Sequence, residues 1–358
     1  MRIMFFLLQI ILGITCVNIR SYEFDLSKLT GIDKIAGMVV IGAGPAGLTA
    51  AMNGGNLGIP TVVLPGYDLG GQMNQTSFIE NFPFVRRGLA SDMVNTFHNQ
   101  VKDFGAKVYD RSVVTIDIDS GWPFKVTLDS GETIMALSLV IATGSEAKKC
   151  GAIGEDTYFG RGISPCARCD AHFYLEEDVV VIGGGDTAIE EAMQLSSYAK
   201  SVTILVRSGI LKAARRMQDK ISGFDKVKIE YNKTLVEVLG DDKAVVGVKV
   251  KDNLTNTVSL MDVKGVFLAI GRLPRNELVV DSKLKLDRFG YIHTDENCQS
   301  VSHPGVFAAG EVGNPSCSQA VEAASLGSIA ANSASQFLRS IGITDNVLKS
   351  LNDRLFVC

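Results

Sequence analysis

The chain has 358 residues, 46% hydrophobic and 21% charged, close to the globular averages of about 45–50% and 25%, which excludes a disordered chain and a small disulfide scaffold. At roughly 100–200 residues per domain there is room for two or three domains. The net charge is −4 and no run of Lys or Arg exceeds two residues, which argues against a nucleic-acid partner. Glycine is the outlier: 36 glycines amount to about 10% against a usual ~7%, with no G-X-Y period. The excess is expected in turns where backbone must approach something closely.

Arg2 is followed by an apolar stretch from Ile3 to Val17, broken only by Gln9 and Thr15. It falls short of the ~20 residues that span a bilayer and matches the apolar region of a secretory signal. Residues 1–20 are therefore expected to be a leader. The small residues Gly13, Thr15 and Cys16 form a weak cleavage pattern, which keeps an uncleaved anchor open. A buried N-terminal strand fits less well, because the strand that opens a domain begins at Met38. The intervening segment is not Arg-rich, unlike a mitochondrial presequence. The expected route is secretory, to the endoplasmic reticulum or an organelle reached through it; if the leader does not function, the protein is cytoplasmic. Sequons begin at Asn74, Asn232 and Asn253.

Met38-Val39-Val40-Ile41 reads as a buried strand and is followed by Gly42-Ala43-Gly44-Pro45-Ala46-Gly47 and a helix pattern. Strand, G-x-G-x-x-G and helix form a dinucleotide fingerprint: Gly42 for the tight turn, Gly44 for approach of a pyrophosphate, Gly47 for helix–strand packing. The next strand, Thr61-Val62-Val63-Leu64, ends in Pro65-Gly66 without the acid that would hold a ribose hydroxyl.

The cysteines are at 16, 150, 166, 169, 298, 317 and 358, and one pair has functional spacing: Cys166-Ala167-Arg168-Cys169, followed by Asp170. Two intervening residues suit a reversible disulfide loop, with Arg168 and a helix N-terminus lowering a thiol pKa. Zinc is the rival reading, but it needs a second ligand pair; His172 lies too close and no further CxxC or HxxH exists. Asp170 suits the proton movements of thiol exchange; its alternative is a helix cap. Cys150 and Cys298 read as core or surface thiols, and Cys358 lacks a partner cysteine nearby in the chain.

Just after this pair the fingerprint recurs. Asp178 to Ile182 is a strand, Gly183-Gly184-Gly185-Asp186-Thr187-Ala188 is G-x-G-x-x-A, and a helix follows with Ile189, Ala192, Met193 and Leu195 on its apolar side. The next strand, Ser201 to Val206, ends in Arg207, with Lys212 five residues on. A cation in place of the ribose carboxylate favours a 2′-phosphate, hence NADPH over NADH; the alternative is a solvated rim. Leu137 to Gly144 and Gly265 to Gly271 are apolar strands ending in A-T-G and A-I-G, each closing a nucleotide unit. Gly305 to Glu311 is another strand, with a carboxylate at its tip placed to accept hydrogen bonds from a polyol. It is followed by Gln319-Ala320 and an Ala/Ser-rich helix whose N-terminus faces a cofactor carbonyl in this reading.

Together these motifs resemble the low-molecular-weight thioredoxin reductases of the pyridine-nucleotide disulfide oxidoreductases. The resemblance runs from about residue 36 to 340, through IGAGPAG at 41–47, GGQ at 70–72, ENFP at 80–83, ATG at 142–144, CARCD at 166–170, GGGDTAIEEA at 183–192, VR at 206–207, AIG at 269–271 and GVFAAGE at 305–311. Its most specific part is CxxCD immediately before the second glycine motif; in lipoamide-type relatives the pair lies near the first. It implies an α/β chain of two Rossmann-like three-layer nucleotide-binding domains. A discontinuous FAD domain, 36–148 and 273–345, would surround an NADPH domain, 149–272, that carries the redox pair. FAD would lie on Gly42, Ala43, Gly44, Pro45, Ala46, Gly47, Gly71, Gln72, Asn81, Val113, Ala142, Thr143, Gly144, Gly310, Glu311, Gln319 and Ala320. NADPH would lie on Gly183, Gly185, Asp186, Thr187, Ala188, Arg207, Lys212 and Gly271. The implied activity passes electrons from NADPH to FAD, to Cys166–Cys169 and to thioredoxin. Cys169 would be the flavin-side sulfur, Cys166 the one that attacks thioredoxin, and Asp170 the acid and base. A homodimer and a pivot near 148 and 273 are also implied. Departures are Glu311 for the family's Asp, Ser318 for its Arg, Arg207-Ser208 for its paired Arg, and Arg168 between the cysteines. An FAD-dependent dithiol oxidase is the alternative function; such relatives are expected to lose the second glycine motif and its cation, and this chain keeps both. A decayed flavin-binding scaffold draws only on Glu311 and Ser318.

Overall fold

The computed structural model describes residues 24, 25, 29, 32, 34–66, 68–75, 78–86, 88–317 and 319–352. The expected leader, Ser318 and Cys358 lie outside the described residues. The chain forms two compact units: unit 1 takes the residues up to Ser145 and from Pro274 onward, and unit 2 is Glu146–Leu273.

Unit 1 is built on a parallel sheet in the order Val306–Ala308, Leu139–Ile141, β1 (Met38–Ile41), β2 (Thr61–Leu64) and Lys107–Val108. All four residues of β1 and of β2 are buried, the continuous apolar run required of parallel strands covered on both faces. Helix α1 (Pro45–Asn56) follows β1, with Pro45 in its first position, where the missing N–H costs nothing and the fixed φ suits a helix start. The long helix Ala320–Ser340 packs on α1 at backbone distance, since a Cβ on Gly327 would collide with the Ala46 carbonyl. A second sheet, ordered Ile35–Ala36, Thr133–Ala136, Phe124–Leu128 and Val113–Asp117, shares one core with the first, including Val40, Phe124, Ile141, Phe307 and Ala331. The single Trp of the chain, Trp122, is buried there, and its indole N–H donates to the Leu137 carbonyl at 2.8 Å.

Unit 2 has three layers. Its central parallel sheet runs Ile163–Ser164, Gly265–Leu268, β3 (Asp178–Ile182), β4 (Ser201–Val206) and Val227–Tyr231. Alternate residues serve opposite faces, as the two-residue strand period requires. Val179, Val181, Val202 and Ile204 pack on a helical layer that includes Ala188, Ile189, Ala192 and Leu195. Val180, Ile182 and Leu205 pack on Leu235, Val238, Val248 and Val250 of an antiparallel sheet formed by Lys233–Gly240, Val245–Asp252 and Val258–Met261.

Each unit is closed where the chain leaves it. In unit 1 the Arg275 N–H donates to the Gly144 carbonyl at 2.9 Å, and in unit 2 the Lys148 N–H donates to the Gly271 carbonyl at 3.0 Å.

Candidate active site and nucleotide sites

In unit 1 the first glycine turn divides its labour as its spacing predicts. Gly42 has φ +102° and a Cβ there would strike the Ala142 carbonyl, while a Cβ on Gly47 would strike the Gly42 carbonyl. These two glycines allow strand, turn and helix to touch. Gly44 is different: a Cβ there would meet only Gly71 Cα, at 4.0 Å. It is the N-cap of α1, it makes no side-chain cap bond, and the first turn contains no acid. Open backbone at a helix N-terminus, left without a carboxylate, fits the pyrophosphate of a dinucleotide. Ala43, Pro45 and Ala46 line the same turn, and the Ala43 carbonyl holds the Gly70 N–H at 2.8 Å, which brings Gly71 and Gln72 alongside.

A polar ledge adjoins this turn. The Gln72 amide donates to Glu311 Oε2 at 2.8 Å and to the Ser145 carbonyl at 2.9 Å, and the Ser145 hydroxyl donates to the same Glu311 oxygen at 2.8 Å. Glu311 follows Gly310, whose φ is +80°. A half-buried carboxylate beside a carboxamide and a hydroxyl fits a polyol chain, as expected for FAD. Asn81 Nδ2 donates to Gln319 Oε1 at 2.7 Å, and Ala320 opens the long helix just after Gln319. Thr143 donates to the Arg275 carbonyl at 2.5 Å, and a Cβ at Gly144 would face open space. Val113 starts the edge strand of the second sheet. Its neighbour Ser112 reaches the tip of β2, with Oγ 3.7 Å from where a Gly66 Cβ would lie.

Unit 2 repeats the turn with one substitution. A Cβ on Gly183 would strike the Ala269 carbonyl and would lie 3.0 Å from Ala188 Cβ, whereas one on Gly185 would meet nothing within 4 Å. Gly185 is the uncapped N-cap of α3 (Asp186–Leu195), and Thr187 is exposed in its first turn. Asp186 is turned to other work: its Oδ1 accepts the Ala214 N–H at 2.7 Å, while the Gly184 carbonyl accepts the N–H groups of Lys212 (2.7 Å) and Ala213 (3.0 Å). The loop after β4 is thereby folded back on the glycine turn, which brings Lys212 beside it. Arg207, at the end of β4, is exposed, and its carbonyl accepts Asn253 Nδ2 at 2.8 Å. Gly271, with φ +98°, closes the unit. Two exposed cations beside an uncapped helix N-terminus fit a nucleotide carrying a 2′-phosphate. Arg215 and Arg216 lie in the next helix, Arg215–Ile221, and are also exposed.

Cys166 and Cys169 are joined by a disulfide with Cα atoms 5.3 Å apart. The segment is a single helical turn, α2 (Ala167–Asp170), with Cys166 as its N-cap, and the Cys166 carbonyl accepts the N–H groups of Cys169 (3.2 Å) and Asp170 (3.1 Å). The helix N-terminus expected to favour a thiolate is already occupied, because the Ala167 N–H donates to Glu191 Oε2 at 2.9 Å. Asp170 makes no cap bond. Burial pushes its carboxyl above the ordinary range, against the pull of a hydrogen bond from Ser164 and of His172. Ser164 also accepts the Cys166 N–H at 3.1 Å, so one hydroxyl ties the first cysteine to the acid. Burial likewise lifts Glu191 to about 7; the Ala167 N–H, Arg168 and Arg272 oppose the shift and Asp170 adds to it. Among the described residues, the cysteines outside the disulfide are poor nucleophiles: burial raises Cys150 and Cys298 to about 11 and Cys317 to about 12.

Three side chains that the motifs did not single out belong to these sites: Ser145, Glu191 and Ser164. Position 191 carried a signal, since it lies three residues after Ala188 and four before Leu195, both buried, and so shares their side of α3. Ser145 and Ser164 carried none beyond adjacency to a motif.

Residues 37–327 match the family described as pyridine nucleotide-disulphide oxidoreductase. Thioredoxin reductase from Listeria monocytogenes is 36% identical over 309 residues, covering 86% of this chain and 96% of the relative. The Streptomyces coelicolor thioredoxin reductase is 37% identical over 313 residues, covering 87% and 96%. The solved structure of thioredoxin reductase from Giardia duodenalis superposes with a TM-score of 0.79 at 33% identity, covering 86% of this chain and 99% of that one. The chain belongs to the pyridine nucleotide-disulphide oxidoreductase family, in its low-molecular-weight thioredoxin reductase branch.

Proposed function

We propose that this protein reduces the disulfide of a thioredoxin with electrons from NADPH, with FAD held by unit 1 and with NADPH and the Cys166–Cys169 pair held by unit 2. The observation that carries the proposal is the disulfide itself, set on a one-turn helix beside the half-buried Asp170 and directly before the second glycine turn. Bound FAD supplies the two-electron step between NADPH and this disulfide. Two electrons and one proton open the Cys166–Cys169 bond to a thiol and a thiolate. Cys166 attacks the thioredoxin disulfide and forms a mixed disulfide with one of its sulfurs; Cys169 then attacks the Cys166 sulfur and displaces the thioredoxin sulfur, which restores the pair and releases thioredoxin as a dithiol. Asp170, whose burial keeps a proton on it to higher pH than an ordinary carboxyl, donates to the sulfur that leaves and takes the proton back. Arg207 and Lys212 orient the 2′-phosphate, and Glu311, Gln72 and Asn81 orient the flavin. The dithiol-oxidase alternative is disfavoured because unit 2 retains the open Gly185 turn and both cations.

The test is NADPH consumption by purified protein supplied with a thioredoxin. Wild type should turn over and Cys166→Ser should not; turnover unchanged in Cys166→Ser would exclude the mechanism. The same reading includes a homodimer, checked by light scattering in solution. It also includes entry into the secretory route through the residue 1–20 leader, supported by Arg2 and the apolar run from Ile3 to Val17. Sequencing the mature N-terminus and locating a C-terminally tagged chain test that entry.

A further inference from the structure

Glu191 leaves α3 on the side of the buried stripe, and its Oε2 holds the Ala167 N–H at 2.9 Å. Ala167 lies inside the loop that the disulfide closes, so this bond fastens the loop to α3. The charged groups that face the carboxylate are Arg168 and Asp170 from α2 and Arg272 from the strand Arg272–Pro274. We infer that Glu191 is a positioning residue for the redox pair, holding the Cys166–Cys169 turn through the Ala167 N–H and setting by its charge how readily the reduced cysteines ionise.

The two roles are separable. A carboxyl oxygen accepts the Ala167 N–H whether the group is ionised or protonated, so the turn stays in place across neutral pH while the charge beside it changes. An ionised Glu191 opposes a second negative charge on a nearby sulfur; a protonated one does not. Since burial brings Glu191 to about 7, the change falls within the working range of thiol exchange. The inference rests on Cys166–Cys169 being the reductase centre, but it can be tested without NADPH, flavin turnover or thioredoxin.

The full chain is reduced with dithiothreitol, freed of reductant and alkylated with iodoacetamide over a pH series, with the Cys166 peptide followed by mass spectrometry. In wild type the rate should rise in two phases with a break near pH 7. Glu191→Gln keeps an acceptor for Ala167 and loses the charge. It should remove the break and speed alkylation about three- to tenfold on the alkaline side of it. In thioredoxin turnover Glu191→Gln should stay within a few-fold of wild type, whereas Glu191→Ala, which also frees the Ala167 N–H, should lose about tenfold. A single-phase wild-type profile overturns the inference without recourse to any variant. So does a Glu191→Gln profile that superposes on wild type, or a break that survives Glu191→Gln and disappears in Asp170→Asn. A wild type with the two-phase profile but no NADPH consumption would overturn the proposed function instead.

Discussion

The two glycine turns share a backbone and differ in what surrounds it. Around Gly44 the helix start contains no acid, and the nearby polar groups are a carboxylate, a carboxamide and a hydroxyl; around Gly185 the polar groups are cations, and the acid Asp186 is spent on Ala214. In the function proposed above, the shared part would take a pyrophosphate, and the different parts would read the rest of the ligand, a polyol in one unit and a 2′-phosphate in the other. A nucleotide fold is thus specified by the residues at the strand tips, and its turn says little about which nucleotide it takes.

The largest effects are expected from filling each open turn. Gly44→Val should weaken flavin retention about 100-fold or more, about 3 kcal/mol, and leave NADPH binding to unit 2 unchanged. Gly185→Val should do the reverse, raising KM for NADPH by a similar factor with the flavin spectrum intact. Loss of both ligands from either variant would show that the units are not independent readers. Next in size is Arg207→Ala, expected to raise KM for NADPH about 10- to 100-fold while NADH use changes less than about twofold. An equal loss for both nucleotides would make Arg207 a rim residue.

The smallest effect contrasts the units in stability. Glu191 rises from an ordinary 4.5 to about 7 in the folded chain, so the folded state binds the proton more tightly than the unfolded state. Its contribution favours folding fully below pH 4.5 and is lost as pH rises through about 7. Glu191→Gln should therefore raise the melting temperature of unit 2 by about 2–4 °C above neutrality and by less in acid, with unit 1 unaffected; calorimetry across the pH range measures this.

How far the sequence discloses this molecule depends on the range of the interactions. The turns at Gly42 and Gly183 and the Cys166–Cys169 spacing are local, set by residues within half a dozen positions, and they could be read directly. The layers were legible too, because a continuous apolar run such as MVVI has few uses other than a covered parallel strand. What stayed hidden depended on elements meeting after folding. The helical period places Glu191 on the buried side of α3, but its partner, the Ala167 N–H, is fixed only when α2 is laid against α3. Ser145 acquires a partner only when Glu311, distant in the chain, closes on it. Asp186 reads as part of a nucleotide fingerprint, and only the fold-back of the Ala214 loop shows where its carboxylate goes.

The short closures at the units' margins bear on how the chain acquires its structure. Unit 2 is an uninterrupted stretch, and its folding brings Lys148 and Gly271 within one hydrogen bond of each other. For unit 1, whose halves lie on either side of that stretch, this replaces a long random loop by a connection of a few residues. Loop-closure cost grows by about 0.6 kcal/mol per doubling of length, so the saving spans several doublings. The inserted unit thus acts as an internal clamp, and the order of events with the lowest entropic barrier is the insert first and the split unit around it.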